Sequence, residues 1–393
     1  MIKTTNVALF FLAAGIFTSV TILSAYQILF TIPLAYYTYL ALKNKEFNLP
    51  KSAWWLLAFT LVALISLIVN FDVIPKPSKN FGRLKYYLFA VCSIFVLRVW
   101  VKEVSDKTKM ILTNTFFATM ILAGAFMVYK AMNMTDGRVR GLTSIMRYGY
   151  GTGMILLPII AAILQKNKIG KWFNWKLAIA ALIFGYIGMH LTQTRGALLG
   201  LLSGLPFLLY FWRPKLGLAV GGFLLVCGLG LLGNYFFSKE TNTTTNQNRL
   251  LMNRNNKSDN IRKSQWAAAI IATKEKPILG WGLSNYHSQL KRIKYQYDLP
   301  EKDYNDAHSH NLFLETMSGT GLIGFFLFVG WVISWALETF QAGGLTRAIF
   351  IPFGVAFVVS SQFEVTFDAN NASMILFIYA LSSALSSYEI RKN

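Results

Sequence analysis

Long apolar runs alternate with short basic linkers along almost the whole chain. The runs are about 17–22 residues long and recur from Asn6 to the C-terminal tail. That length matches the roughly 20 residues a helix needs to cross a hydrocarbon core. The pattern predicts twelve spans, centred on 6–25, 27–43, 53–70, 84–99, 110–129, 148–165, 177–193, 196–212, 216–237, 312–335, 346–363 and 371–388. Spans one and two are hard to separate, as are seven and eight; either pair reads as a broken helix or a tight hairpin. The first run follows Lys3 and is not trailed by a small-x-small cleavage site. It is therefore expected to be a retained helix rather than a signal peptide.

One stretch breaks the rhythm, the polar interlude from Ser238 to His310. Its opening, Thr241 to Asn248, has too little apolar surface to order itself and is expected to be flexible. From Ser258 the pattern turns helical. Ile261, Trp266, Ala269, Ile270 and Thr273 predict an amphipathic helix of about 14 residues, with Pro277 just past its end. Gly280-Trp281-Gly282 reads as a turn. Tyr286 to Tyr297 reads as a second interfacial helix, with Tyr295 and Tyr297 near lipid headgroups. The expected fold is all-α: a polytopic membrane protein of about twelve helices. Residues 1–237 form an N-terminal membrane part of about nine helices, 238–310 a long external loop, and 311–393 a C-terminal part of about three.

Composition supports this reading. Hydrophobic residues make up 54% of the chain and charged residues only 14%, against the roughly 25% of soluble domains. Cys92 and Cys227 both fall inside apolar runs and form neither a metal motif nor an expected disulfide. The formal net charge of +21 matters through its location. Loops after spans two, four, six and eight are basic and are expected to be cytoplasmic. The opposite loops are basic as well. They carry Lys76, Lys79, Arg83 and Lys85, then Arg138, Arg140 and Arg147, then Arg195, and many more in the long interlude. Cations on the translocated side work against the topological signal. An anionic ligand at that surface, such as a phosphate, pyrophosphate or acidic lipid, gives them a use.

Candidate chemistry gathers where the interlude meets span ten. His308 and His310 are two residues apart and are expected to point differently. With Asp303, Asp306 and Glu315 near them they could begin a zinc site, but no cysteine lies near and no metal is expected. A histidine at the membrane surface suits general-base work near neutral pH. Arg195 sits at the end of span seven, beside a helix start, and Arg140 and Arg262 could converge with it as forks for phosphate oxygens. His190, one turn before Thr194, is expected to support them from behind. No Walker A, Asp-x-Asp or Gly-rich dinucleotide motif occurs, which disfavours nucleotide-driven chemistry, and no nucleic-acid partner is expected. Acidic residues inside spans are rare, which argues against proton-coupled transport.

His310-Asn311, nine residues, then Gly321-x-x-Gly324 resembles the His-Asn-x9-Gly-x-x-Gly pattern of the bacterial O-antigen ligase family. Arg262-x3-Trp266 and Pro277-x2-Gly280-x-Gly282 resemble its long periplasmic loop, and Arg195-Gly196 at a span end fits as well. The resemblance covers essentially the whole chain and extends to O-antigen polymerases and protein O-oligosaccharyltransferases, which share much of the pattern.

The resemblance implies a C-type-glycosyltransferase-like membrane fold in the bacterial inner membrane, with its site at the periplasmic face. It implies a glycan donor on undecaprenyl pyrophosphate and, as acceptor, a sugar hydroxyl of the lipid A core. His310 would be the base. Arg195 and Arg262 would hold the leaving pyrophosphate, with Arg140 a third. Asn311 would contact the substrate, His308 would contact it or orient His310, and no metal or cofactor would be needed. A polymerase of the same superfamily, or a flippase for lipid-linked glycans, are the competing readings.

Overall fold

The computed structural model describes residues 1–45, 47–134, 138–237, 257–300, 308–367 and 369–390, and no strand occurs among them. The helices are α1 Ile2–Gly15, α2 Val20–Lys43, α3 Lys51–Val69, α4 Pro77–Glu103, α5 Asp106–Met132, α6 Ile145–Leu164, the single turn α7 Lys166–Ile169, α8 Trp175–Leu191, α9 Arg195–Trp212, α10 Pro214–Phe237, α11 Lys257–Glu275, α12 Tyr286–Gln296, α13 Leu312–Ala342, α14 Gly344–Ser360 and α15 Ala369–Ile390. Among the described residues, α2, α3, α4, α5, α6, α9 and α13 are long and apolar enough to cross a membrane, and α1, α8, α10, α14 and α15 are shorter apolar helices. The chain is a multi-pass all-α membrane protein. The expectation for Thr241 to Asn248 lies outside the described residues.

The first ambiguous pair is a hairpin, whereas α8 and α9 are two helices joined by a tight turn that pack on α6 rather than along each other. Helix α1 stops at Gly15, earlier than the apolar run suggests, and Ser19 starts α2 by accepting the Thr21 N–H at 3.2 Å. A side chain at Gly15 would sit 2.9 Å from the Leu23 nitrogen, so the two helices can close only on a glycine. Between α8 and α9 the chain turns through Thr192, Gln193 and Thr194, with Gln193 at φ +51°. Helix α6 is the most buried of the seven longer spans and packs against α8, α9 and α14. Gly149, Gly151 and Gly153 open its first turns to close neighbours. A Cβ at these positions would lie 2.7 Å from Thr194 Oγ1, 2.7 Å from Asn371 Oδ1 and 2.8 Å from the Ala197 carbonyl. Small residues of this kind let membrane helices approach through their backbones.

The predicted continuous span ten is broken. Gly321 has φ +69°, which divides α13 into a short first segment and a long second one. A break in a buried helix leaves backbone groups without their usual partners. Here the turn at 277–282 supplies them. Trp281 N–H donates to the Ser318 carbonyl at 3.0 Å, Gly282 N–H to Gly319 at 2.8 Å, and Leu322 N–H to Pro277 at 2.7 Å. Gly280, at φ +63°, faces this break so closely that a Cβ would lie 2.6 Å from the Gly321 nitrogen. From the other side, the Ser66 hydroxyl donates to the Leu279 and Gly319 carbonyls, and the Asn70 amide to Gly280. The Pro-x2-Gly-x-Gly run and Gly321 are thus two halves of one backbone interlock.

An alanine at Gly321 must both occupy the left-handed region and displace the Ile278 carbonyl, 2.1 Å from its Cβ. Gly82 lies in α4 with nothing within 4 Å of a Cβ. In thermal unfolding of detergent-purified protein, Gly321→Ala is expected to lower the midpoint by several degrees. Gly82→Ala should leave it unchanged or raise it, since alanine favours an exposed helix by about 1 kcal/mol.

Candidate functional site

The chain from His308 to Asn311 is fixed before its rings are considered. Asn311 caps α13, its Oδ1 accepting the N–H groups of Phe313 at 2.9 Å and Leu314 at 3.1 Å. Ser309 is fully buried, and its N–H donates to Glu315 Oε2 at 2.9 Å. Leu312 N–H reaches the Ser361 carbonyl at 2.8 Å, which ties the turn to the end of α14. His310 sits at φ +52°, a region that few residues other than glycine occupy and that is often found at functional sites.

With Ser309 turned inward, His308 and His310 face the same way. Their ring centroids are 4.5 Å apart, contrary to the expectation that they diverge. Both meet Glu364, from the loop between α14 and α15. His308 Nε2 lies 2.6 Å from Glu364 Oε1, and His310 Nδ1 lies 3.1 Å from Oε2. The carboxylate also accepts the Val365 N–H at 3.0 Å. Burial by itself lowers His308 and raises Glu364. The hydrogen bonds and charge attraction of the pair outweigh it, holding His308 above the ordinary imidazole value and Glu364 well below the usual carboxylate range. The three side chains bring potential ligand atoms within 4.8 Å of one another, a two-histidine, one-carboxylate donor set of the kind that can hold a divalent metal. Asp303 and Asp306 lie outside the described residues.

This cluster forms one wall of a cavity of about 1090 Å³. Helix α4 contributes Lys79 and Arg83, with Lys76 just before it; the approach to α6 and its first turn contribute Arg138 and Arg147, and α11 contributes Arg262. Six basic side chains therefore face two carboxylates, Glu315 and Glu364, both of which are held within the fold. Arg138 is anchored on the α8–α9 turn, its Nε donating to the Thr192 carbonyl at 2.9 Å. Arg83 donates to the Ser284 hydroxyl at 2.6 Å.

The external helices frame this cavity. Ala268, Ala269 and Ala272 of α11 form a buried cluster with Tyr286, Leu290 and Ile293 of α12, and Tyr286 donates to the Gln265 carbonyl at 2.6 Å. Helix α11 has 19 residues, longer than predicted, and Trp266 is half-buried in the protein. Trp281 is flanked by Lys276 and Arg292, 4.1 Å and 5.1 Å from its ring centre.

Of the residues singled out in the sequence, the cavity brings together His308, His310 and Arg262. Arg195 is exposed as the first residue of α9 and lies outside the cavity lining, because the tight turn before it directs Thr192 and Thr194 inward instead. Arg140 is also exposed and outside the lining; its carbonyl accepts from Lys130, while Arg138 and Arg147 of the same loop reach in. Asn311 is buried, and its amide is used by the helix cap and by Gln362 at 3.3 Å, which leaves it a structural part rather than a substrate contact. His190 is exposed and stacks on Tyr186. Glu364 was missed. Its sequence signal was an acidic residue at a span end in a chain with only 17 acidic residues.

Residues 177–329, from α8 into α13, match the family model described as O-antigen ligase, which supports membership of the chain in that family. An uncharacterized protein from Haemophilus influenzae is 23% identical over 380 residues, covering 92% of this chain and 90% of that protein.

The ion pair has a pH signature. His308, raised above its ordinary 6.5, contributes stability fully below that pH and loses it as pH rises through its higher folded value. Glu364, lowered from its ordinary 4.5, contributes above that pH and loses it as pH falls toward its folded value. The gap in unfolding temperature between wild type and Glu364→Gln is expected to be widest between pH 4.5 and 6.5 and to narrow on both sides. A gap that does not vary with pH contradicts the pairing.

Proposed function

We propose that this chain, as a member of the O-antigen ligase family, is the ligase itself. It moves a glycan from undecaprenyl pyrophosphate to a sugar hydroxyl of the lipid A core in lipopolysaccharide biosynthesis. The observation that carries this reading is the Glu364 carboxylate on His310 Nδ1, set in a cavity lined by six basic side chains. A carboxylate on Nδ1 favours the tautomer in which Nε2 holds the lone pair, the arrangement of a general base. In the proposed step His310 takes the proton from the acceptor hydroxyl as its oxygen bonds to the anomeric carbon. The bond from that carbon to the pyrophosphate oxygen breaks, and the electron pair leaves with the pyrophosphate. Arg262, with Arg138, Arg147 and Arg83, neutralises the departing charge, so the leaving group needs neither a general acid nor a metal. His308, hydrogen-bonded to the other oxygen of Glu364, keeps the carboxylate in place.

The basic linkers at α2–α3, α4–α5 and α9–α10 orient the opposite end, with the cavity, toward the periplasm across the inner membrane. The loop 238–310 is then a periplasmic unit between membrane parts 1–237 and 311–393.

The test begins with His310→Ala, which is expected to remain in the membrane yet cut transfer by about 10²–10⁴-fold. Wild-type transfer is expected to persist in EDTA. On gels, loss of a ligase leaves bare core with polymer stranded on its carrier; core bearing a single repeat unit would instead identify a polymerase. Normal ladders from His310→Ala, with the protein present, contradict the reading. A flippase would show no sugar transfer by the purified protein.

The grip is tested separately by initial rates against donor concentration. Arg262→Ala is expected to raise the donor KM by about 10–100-fold, the loss of one strong charge-assisted contact. Arg195→Ala should change it less than Arg262→Ala. The reverse order would place the pyrophosphate outside the cavity described above.

A further inference from the structure

The chain has only four histidines, and two of them share one carboxylate. A tetrahedral zinc ion bound at about 2.0–2.2 Å holds its ligand atoms about 3.3–3.6 Å apart. The donor atoms of His308, His310 and Glu364 lie within 4.8 Å of one another, so the widest gap has to close by at most about 1.5 Å. The 2.6 Å contact between His308 and Glu364 has to open by about 1 Å. His308 is the ligand free to make that adjustment. Its side chain is 33% exposed, against 12% for His310 and 6% for Glu364. The Val365 N–H steadies the carboxylate from behind, as a supporting hydrogen bond does in metal sites. All three residues line the cavity, so a fourth ligand can reach the ion from there. Two imidazoles and one carboxylate suit zinc, whereas magnesium and calcium take oxygen ligands. The six basic side chains of the cavity repel a dication, which makes this a weak and reversible site rather than a structural one.

Which nitrogen faces the carboxylate decides what such an ion does. His310 meets Glu364 through Nδ1. As a base it keeps its proton on Nδ1, against the carboxylate, and its lone pair on Nε2. Coordination through Nδ1 requires the lone pair to be there instead. The proton then sits on Nε2, at the atom that would take the proton of the acceptor hydroxyl. His310 stays neutral in both forms, and only the position of its proton changes. We infer that His308, His310 and Glu364 form an inhibitory zinc site, in which the ion holds His310 in the tautomer that cannot act as a base. The inhibition rests on the reading of His310 as the general base; the metal site itself does not.

The test reads binding and transfer separately. Full-length protein in detergent is stripped with EDTA, desalted and titrated with Co²⁺, whose visible d–d absorption reports a site of low coordination number, and then with Zn²⁺. One cobalt per chain is expected, displaced by zinc. The absorption should vanish in Glu364→Gln and in His308→Ala, and persist when His190 and His287, the other two histidines, are both replaced by alanine. Bands that survive the first two changes, or are lost with the last, place the metal elsewhere and overturn the inference. X-ray absorption of zinc-loaded wild type needs no variant to fold. Two imidazole ligands are expected, and none or one overturns the site. In parallel, zinc is expected to slow wild-type transfer by about tenfold or more, with recovery on adding EDTA, while Mg²⁺ at about a hundredfold higher concentration does not. Equal inhibition by magnesium points to screening of the donor's phosphates and overturns the inference, as does undiminished transfer by zinc-loaded protein. A zinc site with two imidazoles in protein that transfers no glycan under any condition supports the site and removes the proposed reaction, and the inhibition with it.

Discussion

A buried carboxylate must be compensated, and in this protein Glu364 is compensated by two histidines. Removing a carboxylate from water costs several kcal/mol unless charge and hydrogen bonds replace the lost hydration. Glu364 is 5% exposed and meets His308 and His310. The requirement joins two distant parts of the chain, the loop after α14 and the turn before α13. It also fixes which nitrogen of His310 faces the carboxylate. The strained φ of His310, the inward Ser309 and the Asn311 cap are the local means by which both rings reach one carboxylate.

Around that cluster, backbone interlock does what a larger soluble domain would otherwise do. The broken α13 and the turn at 277–282 exchange N–H and carbonyl groups, so the external helices α11 and α12 are seated on the membrane part by main-chain hydrogen bonds. This places Arg262 opposite Arg138 and Arg147, which come from the other half of the chain. A cavity so rich in cations is unfavourable when empty, and a polyanionic ligand relieves its mutual repulsion.

Among the described residues, the apolar helices were legible because period and length define a membrane helix, and boundaries slipped mainly where glycine ends a helix inside an apolar run, as at Gly15. Gly280, Gly282 and Gly321 were legible as a motif, but their pairing was not: two left-handed glycines that meet across forty residues leave no local trace of one another. Arg262 and the two histidines, singled out separately in the sequence, line one cavity. Arg138 and Arg147 were seen only as loop charge, because which arginine of a basic loop turns inward depends on the Thr192–Thr194 turn it packs on. Glu364 was hidden for the same reason. Its partners are more than fifty residues away, and an acidic residue at a span end usually does no more than face solvent.

The stereochemistry of transfer tests the central claim most directly. A single displacement by a hydroxyl deprotonated at His310 inverts the anomeric carbon, because the acceptor attacks from the side opposite the pyrophosphate. Purified protein would be given a donor of known anomeric configuration and a lipid A core acceptor, and the new linkage assigned by NMR. The account predicts the opposite configuration in the product. Retention would require a covalent glycosyl intermediate or a different attacking group, and would contradict it.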